Sequence, residues 1–219
     1  MKRPRHLQKL KQETFDLLII GGGATGAGAA LDAATRGLKV ALVDRGDFVS
    51  GTSSRSTKLI HGGVRYLELA VKQFDRGQLN LVKEALHERA TLLKIAPHLT
   101  RVLPIVTPLY KRFQISYYRI GLKVYDWLAG KRNLFRSRTI KADAIASQFP
   151  QLKDEGLKGG VLYADGQFDD ARMALSILLT AEEQGATLLN YAQVVSLAHQ
   201  SGKLSSVQIQ DTLTQEVFE

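Results

Sequence analysis

An α/β fold built around a parallel sheet is predicted by three features near the N-terminus. They are a short apolar run, a glycine-rich turn directly after it, and a second apolar run that ends in an acid. The stretch DLLIIGGGATGAGAALDAATRGLKVALVD, from Asp16 to Asp44, holds all three. Phe15 to Ile20 is apolar and rich in branched residues, as a buried strand requires. Ala24 to Thr35 is dense in alanine and reads as a helix, with Gly37 placed to end it. Lys39 to Val43 reads as a second buried strand. A strand, helix and strand this close together form a parallel crossover.

Within that crossover Gly21, Gly23 and Gly26 fit the spacing G-x-G-x-x-G. Gly21 permits the tight turn, Gly23 lets a pyrophosphate approach the backbone, and Gly26 lets the helix sit close to the strand. Amides at the helix N-terminus then face phosphate charge. Asp44 lies 18 residues after Gly26, at the tip of the second strand, where an acid accepts hydrogen bonds from ribose hydroxyls. The context makes this a Rossmann-like, FAD/NAD(P)-binding fingerprint, and the acid favours NAD or FAD over NADP.

The rest of the chain follows in order. Arg45 to Glu68, RGDFVSGTSSRSTKLIHGGVRYLE, reads as a polar loop with a helical turn near Ser53, suited to close contact with a polar ligand. A helix over Leu79–Leu93 carries the apolar stripe Leu79, Val82, Leu86 and Leu93, with His87 off the stripe and on the surface. A helix over Gln114–Leu128 has the stripe Ile115, Tyr118, Leu122, Tyr125 and Leu128, with Ile120, Val124 and Trp127 beside it. Arg119, Lys123 and Ser116 occupy its narrow polar side. So wide an apolar arc reads as core; basic flanks and a tryptophan also suit a helix lying on a membrane. A helix over Asp169–Gln184 and a strand over Ala186–Tyr191 return to the first sheet. The cluster Asp169-Asp170-Ala171-Arg172 opens that helix, where capping and a functional role compete equally. The final KLSSVQIQDTLTQEVFE reads as two strands at a sheet edge.

Of 219 residues, 44% are hydrophobic and 23% charged, which is enough for a substantial core. The absence of cysteine excludes disulfides, thiolate metal sites and cysteine nucleophiles, and no metal site is assigned. No apolar run reaches the roughly 18 residues needed to span a bilayer. The basic N-terminus MKRPRHLQKLKQE lacks the hydrophobic segment of a secretory signal. The net charge of +9 is concentrated: residues 1–13 hold five Lys or Arg and one acid, and residues 111–141 hold nine against Asp126 alone. Such charge is a solvated face, or suits an anionic membrane surface or anionic substrate. No motif for nucleic acid accompanies it.

Four segments in order, GGGATGAG, GTSSRSTKLIHGGVRYLE, LVKEALHERATLLKIAPHL and YADGQFDDAR, resemble the FAD-dependent glycerol-3-phosphate dehydrogenase family. The resemblance runs from about Phe15 to about Val195. It implies FAD bound by Gly21, Gly22, Gly23, Ala24, Thr25 and Gly26, and by Asp44 with its neighbour Arg45. The family usually has Glu at the position of Asp44. Thr52, Ser53, Ser54, Thr57, Lys58, Leu59 and His61 resemble the segment that runs beneath the flavin and its phosphates. Gly62 and Gly63 would let the backbone approach the ring. Arg65 and Tyr66 match positions that face the substrate, where an arginine holds a phosphate by two parallel hydrogen bonds. Without the family motif, His61 reads as a structural histidine, and Arg65 and Tyr66 as a loop clamp. Val194 lies on a strand where the wider fold contacts adenine through the backbone.

The resemblance thus implies oxidation of sn-glycerol 3-phosphate to dihydroxyacetone phosphate, with electrons passed to a quinone or, in the oxidase branch, to oxygen. The catalytic base is not identifiable in these residues. A cytoplasmic protein, peripheral on the inner face of the cell membrane, is expected. The expected organisation is a basic extension over residues 1–14, an FAD-binding domain over 15–66 and 166–219, and an inserted substrate or cap region over 67–165. Family members continue beyond residue 219, so a fragment, a truncated product, or completion by another chain is expected. Two other readings stand beside this one: another FAD oxidoreductase of the same fold, such as an amine or amino-acid oxidase, and a nucleotide-binding remnant without turnover.

Overall fold

The basic N-terminal residues form a helix, α1 (Arg3–Gln12), with proline in its first turn where no amide partner is needed. Leu7 and Leu10 pack on Ala41, Val43 and Ile209. The imidazole of His6 bridges Glu182 Oε1 at 2.7 Å and the Leu188 amide at 3.2 Å. The extension is therefore built into the fold, with Lys2, Arg5 and Lys11 exposed and Arg3 turned inward.

The structure, a computed structural model, describes residues 2–63 and 75–219. Two compact units emerge: Met1–Thr57 with Asp169–Glu219, and Lys58–Phe168. In the first unit β1 (Leu17–Ile20), α2 (Ala24–Thr35) and β2 (Val40–Val43) form the expected crossover, with β1 and β2 parallel and Leu17 opposite Val40. A helix, α6 (Asp170–Glu183), leads to β7 (Thr187–Leu189), which pairs in parallel with the other side of β2. The sheet order is β1-β2-β7. β2 is buried throughout, but β1 is an edge strand with Leu17 and Ile20 exposed. That corrects the expectation of two buried strands: among the described residues β2 alone of these three strands is paired on both sides.

The alanines of α2 explain how its layer closes. Ala27, Ala30, Ala33 and Ala34 form one core cluster with Ala174, Leu178 and Ala181 of α6. Small side chains on facing helices let the backbones approach and bury the surface completely. The chain then forms an antiparallel meander, β8 (Ala192–Gln200), β9 (Lys203–Asp211) and β10 (Val217–Phe218).

The second unit is a sheet of order β3-β6-β4, made of β3 (Leu59–Ile60), β4 (Thr100–Leu109) and β6 (Gly159–Phe168), with β5 (Arg138–Ile140) also paired to β6. All pairings are antiparallel. Helices α3 (Arg76–Ile95), α4 (Arg112–Ala129) and α5 (Ala142–Gln148) complete it. Because β3 pairs with β6, residues from Lys58 onward join this unit. α4 departs from the core reading: Leu122 and Tyr125 are buried, but Ile120 and Trp127 are 66% and 78% exposed. One stripe packs inward, and the neighbouring arc faces out.

Asp211 ties the meander to α1. It is fully buried, and its carboxylate accepts the Leu213 amide at 2.9 Å and meets Arg3 at 2.9 Å. Burial pushes its pKa up, but these partners outweigh burial and hold it below the ordinary value. The folded state therefore binds this proton less readily than the unfolded state. The resulting stabilisation is complete above the ordinary aspartate range near about 4 and is lost as pH falls through the lower folded value. Urea midpoints measured from pH 6 down to pH 3 should fall, and Asp211→Asn should flatten that dependence. An unchanged slope in Asp211→Asn would remove Asp211 from the acid response.

Candidate functional site

The glycine turn is shaped by what a side chain would strike. Gly21 has φ +112°, a left-handed conformation that glycine adopts without strain. A Cβ on Gly26 would overlap the carbonyl oxygen of Gly21, so α2 begins as close to β1 as backbone permits. Gly22 is held on both sides: its amide donates to Asp44 Oδ2 at 2.7 Å, and its carbonyl accepts from Val49 at 3.0 Å. Gly23 is the N-cap of α2, and a Cβ there would sit 2.9 Å from Ser53 Oγ. Ala24 and Thr25, the first residues of α2, are exposed.

Asp44 does more than stand at a strand tip. Its two carboxylate oxygens accept the amides of Gly22, at 2.7 Å, and Gly46, at 2.8 Å, so it staples the glycine turn to the loop after β2. Each oxygen keeps further acceptor capacity. Val49 in that loop adopts φ +62°, a strained state for a β-branched residue, and is buried against the same turn.

The next loop places Thr52, Ser53 and Ser54 in a single 3-10 turn. Ser53 Oγ accepts the Ala24 amide at 2.9 Å, which puts a side-chain oxygen at the N-terminus of α2. Asp170 anchors this loop: buried at the start of α6, it accepts the Ser56 amide at 2.9 Å. Its neighbour Asp169 is the helix cap, accepting the Arg172 amide at 3.0 Å. The acidic pair thus divides its work, one residue capping and one holding the polar loop. Two acids where one cap suffices was the available signal.

The structure brings Gly21–Gly26, Asp44 and Ser53 together in the first unit, with Arg45 exposed beside Asp44. Val194 is half-buried on β8, opposite Ile209 and packed against the cluster that holds Ala41, Val43 and Leu189. In the second unit Lys58 adopts φ +59° and Gly63 φ +74°. Between them Leu59 lies on β3, His61 is exposed, and Gly62 and Gly63 are buried. Arg65 and Tyr66 lie outside the described residues.

Sequence reasoning missed a buried ionic network in the second unit. Arg89 on α3 is fully buried, and its guanidinium donates to Asp165 Oδ1 at 2.6 Å and to the Ala164 carbonyl at 3.1 Å. The Tyr125 hydroxyl donates to the same Asp165 oxygen at 3.0 Å. Burial, and then the Asp165 charge, push the Tyr125 pKa far above its ordinary value. A signal existed: Arg89 falls on the apolar stripe Val82, Leu86, Leu93, where a cation must be paired.

The chain matches the model of the FAD dependent oxidoreductase family over residues 16–217. It is 54% identical over 211 residues to the mitochondrial glycerol-3-phosphate dehydrogenase of Homo sapiens, covering 94% of this chain and 29% of that protein. It thus spans under a third of the length of that relative. The crystal structure of glycerol-3-phosphate dehydrogenase from Bacillus halodurans, complexed with FAD, superposes with TM-score 0.72 at 34% identity, over 99% of this chain and 34% of that one. L-proline dehydrogenase from P. horikoshii shares the fold, with TM-score 0.67 at 17% identity over 94% of this chain and 51% of that one. The family match begins at the strand before the glycine turn and ends on the last strand of the meander. On that extent, the chain belongs to the family of FAD dependent oxidoreductases.

Proposed function

We propose that the protein binds FAD and oxidises sn-glycerol 3-phosphate to dihydroxyacetone phosphate. The observation that carries the reading is the 54% identity to glycerol-3-phosphate dehydrogenase, maintained across 94% of the chain. The glycine turn fits the cofactor on its own geometry. Its backbone is pressed together at Gly21 and Gly26, and the first turn of α2 is exposed. There the Thr25 amide and the Ser53 hydroxyl, whose oxygen already takes the Ala24 N–H, would bind the pyrophosphate. Asp44 would accept the ribose hydroxyls with the lone pairs its two amide partners leave free. Arg45, Thr52, Ser54 and Thr57 belong with the phosphates, Lys58–Gly63 with the flavin, and the Val194 backbone with adenine. FAD, when bound, supplies the two-electron acceptor for oxidation of an alcohol to a ketone. The chain's own part is to hold an anionic substrate; Arg65 and Tyr66 are assigned to it, Arg65 to its phosphate.

The outward arc of α4 supports a peripheral membrane association, with a quinone as electron acceptor. Phe113, Ile120 and Trp127 are exposed beside Arg119 and Lys123, an arrangement suited to an anionic lipid surface. Among the described residues no helix is long and apolar enough to cross a membrane. A cytoplasmic protein on the inner face of the cell membrane is the location that goes with this reading. The Homo sapiens relative is by its name mitochondrial.

Steady-state kinetics of Arg65→Ala test the substrate. A charge-assisted pair contributes roughly 1.5–3 kcal/mol, so KM for glycerol 3-phosphate should rise about ten- to a hundredfold while FAD stays bound. Arg65→Lys should recover part of the loss, because an ammonium cannot make the two-point contact. Glycerol should be a poor substrate for both and insensitive to the change. Unchanged glycerol 3-phosphate kinetics in Arg65→Ala would make Arg65 structural. Oxidation of an amine in place of glycerol 3-phosphate would overturn the substrate assignment.

A further inference from the structure

The network of Arg89, Asp165 and Tyr125 ends on a backbone amide. The Tyr125 hydroxyl donates its one hydrogen bond to Asp165 and accepts, through its oxygen, the N–H of Gly62 at 2.9 Å. Arg89 approaches the same hydroxyl at 3.4 Å. Gly62 is also fitted sterically: a Cβ there would overlap Leu86 of α3 and the Tyr125 hydroxyl of α4. Two independent constraints, one polar and one steric, thus converge on a single peptide, His61–Gly62. Because a trans peptide is planar, pinning the Gly62 N–H against Tyr125 turns the His61 carbonyl the opposite way, away from the network.

As a device for stability this arrangement is poor. The Nε and NH2 groups of Arg89 are buried with no hydrogen-bond partner among the described residues. A buried ion pair with unmet donors contributes little over an apolar pair of the same volume. What it does supply is a fixed direction for the atoms at its end.

We propose that Arg89, Asp165 and Tyr125 are positioning residues that set the His61–Gly62 peptide for contact with the flavin. This rests on the reading of Lys58–Gly63 as the flavin segment. Tyr125 touches the peptide directly. Asp165 orients Tyr125 by accepting its O–H hydrogen bond, and Arg89 holds the Asp165 carboxylate in place. None of the three is assigned to the reacting atoms.

Tyr125→Phe tests this, since it deletes one oxygen and keeps the ring in the core. Leu122→Ala is the control, a buried change on the same helix in a different cluster, with Leu109 and Val161. Native-state hydrogen exchange should show the Gly62 amide losing at least tenfold protection in Tyr125→Phe and keeping it in Leu122→Ala. In the FAD-loaded protein Tyr125→Phe should retain flavin but shift its visible absorption bands. The rate of flavin reduction at saturating glycerol 3-phosphate should fall roughly tenfold, with half-saturation within about twofold, as expected for lost orientation rather than lost binding. Leu122→Ala should lower the melting temperature without the band shift. Wild-type bands and reduction rate in Tyr125→Phe would overturn the proposal, as would an equal change in Leu122→Ala. Failure of the unsubstituted protein to take up FAD would instead overturn the functional reading, and this proposal with it.

Discussion

Gly26→Ala is expected to leave the protein without bound flavin. The added Cβ would overlap the carbonyl oxygen of Gly21, with the Ile19 side chain 3.4 Å behind it. The obstacle is backbone, so no rotamer change relieves it. α2 or the glycine turn must move, and overpacking of this kind costs about 1–3 kcal/mol in stability. The movement also carries the Thr25 amide and the Ser53 hydroxyl away from the proposed pyrophosphate position. Losing about 3 kcal/mol of their interaction would weaken FAD binding roughly a hundredfold. Gly28→Ala, two residues on in the same helix, is the matched control: its Cβ meets nothing within 4 Å, and alanine is the better helix former by about 1 kcal/mol. That variant should stay yellow and melt no lower than the parent. Flavin absorbance after purification and thermal melting distinguish the two. A yellow, soluble Gly26→Ala protein would mean the turn is not the pyrophosphate site.

Asp165→Ala should give the largest loss of stability from a single side chain. Arg89 is fully buried and Asp165 nearly so, with 2.6 Å between them. Removing the carboxylate leaves a guanidinium in the core with no counter-charge, a change that costs about 3–5 kcal/mol. Tyr125 loses its acceptor at the same time. The pair Arg89→Met with Asp165→Leu removes both charges and should recover most of that loss, while leaving Gly62 without its ordered partner. Urea denaturation of the three proteins measures this. A loss under about 1 kcal/mol in Asp165→Ala would show that water reaches Arg89 and that the network is not sealed.

The first unit was legible because its signals are local. Glycine spacing, an alanine-dense helix and an acid after an apolar run each act within a few residues, and α2 begins and ends where composition places it, Ala24 to Thr35. The exposure of β1 was not legible, since sheet order depends on where β7 enters, over 160 residues later. In the second unit the important contacts join Gly62, Arg89, Tyr125 and Asp165, which no periodicity links. Only the misfit of an arginine on an apolar stripe hinted at them. The sequence suggested Asp44 as a ribose acceptor; its bonds to the Gly22 and Gly46 amides were not legible, because they depend on loop geometry. The α4 arc misled for a related reason: a helical wheel shows which residues are apolar, not how much of that arc the sheet covers.

On the proposed reading this protein holds FAD and reduces it with glycerol 3-phosphate. Anaerobic titration of the purified, FAD-loaded protein tests it without any electron acceptor, because the cofactor itself reports the reaction. Adding sn-glycerol 3-phosphate should bleach the flavin's visible absorption, and dihydroxyacetone phosphate should appear in equal amount to the flavin reduced. An oxidised spectrum that persists with glycerol 3-phosphate, but collapses with proline, glycine or another amine, would exclude glycerol 3-phosphate as the reductant.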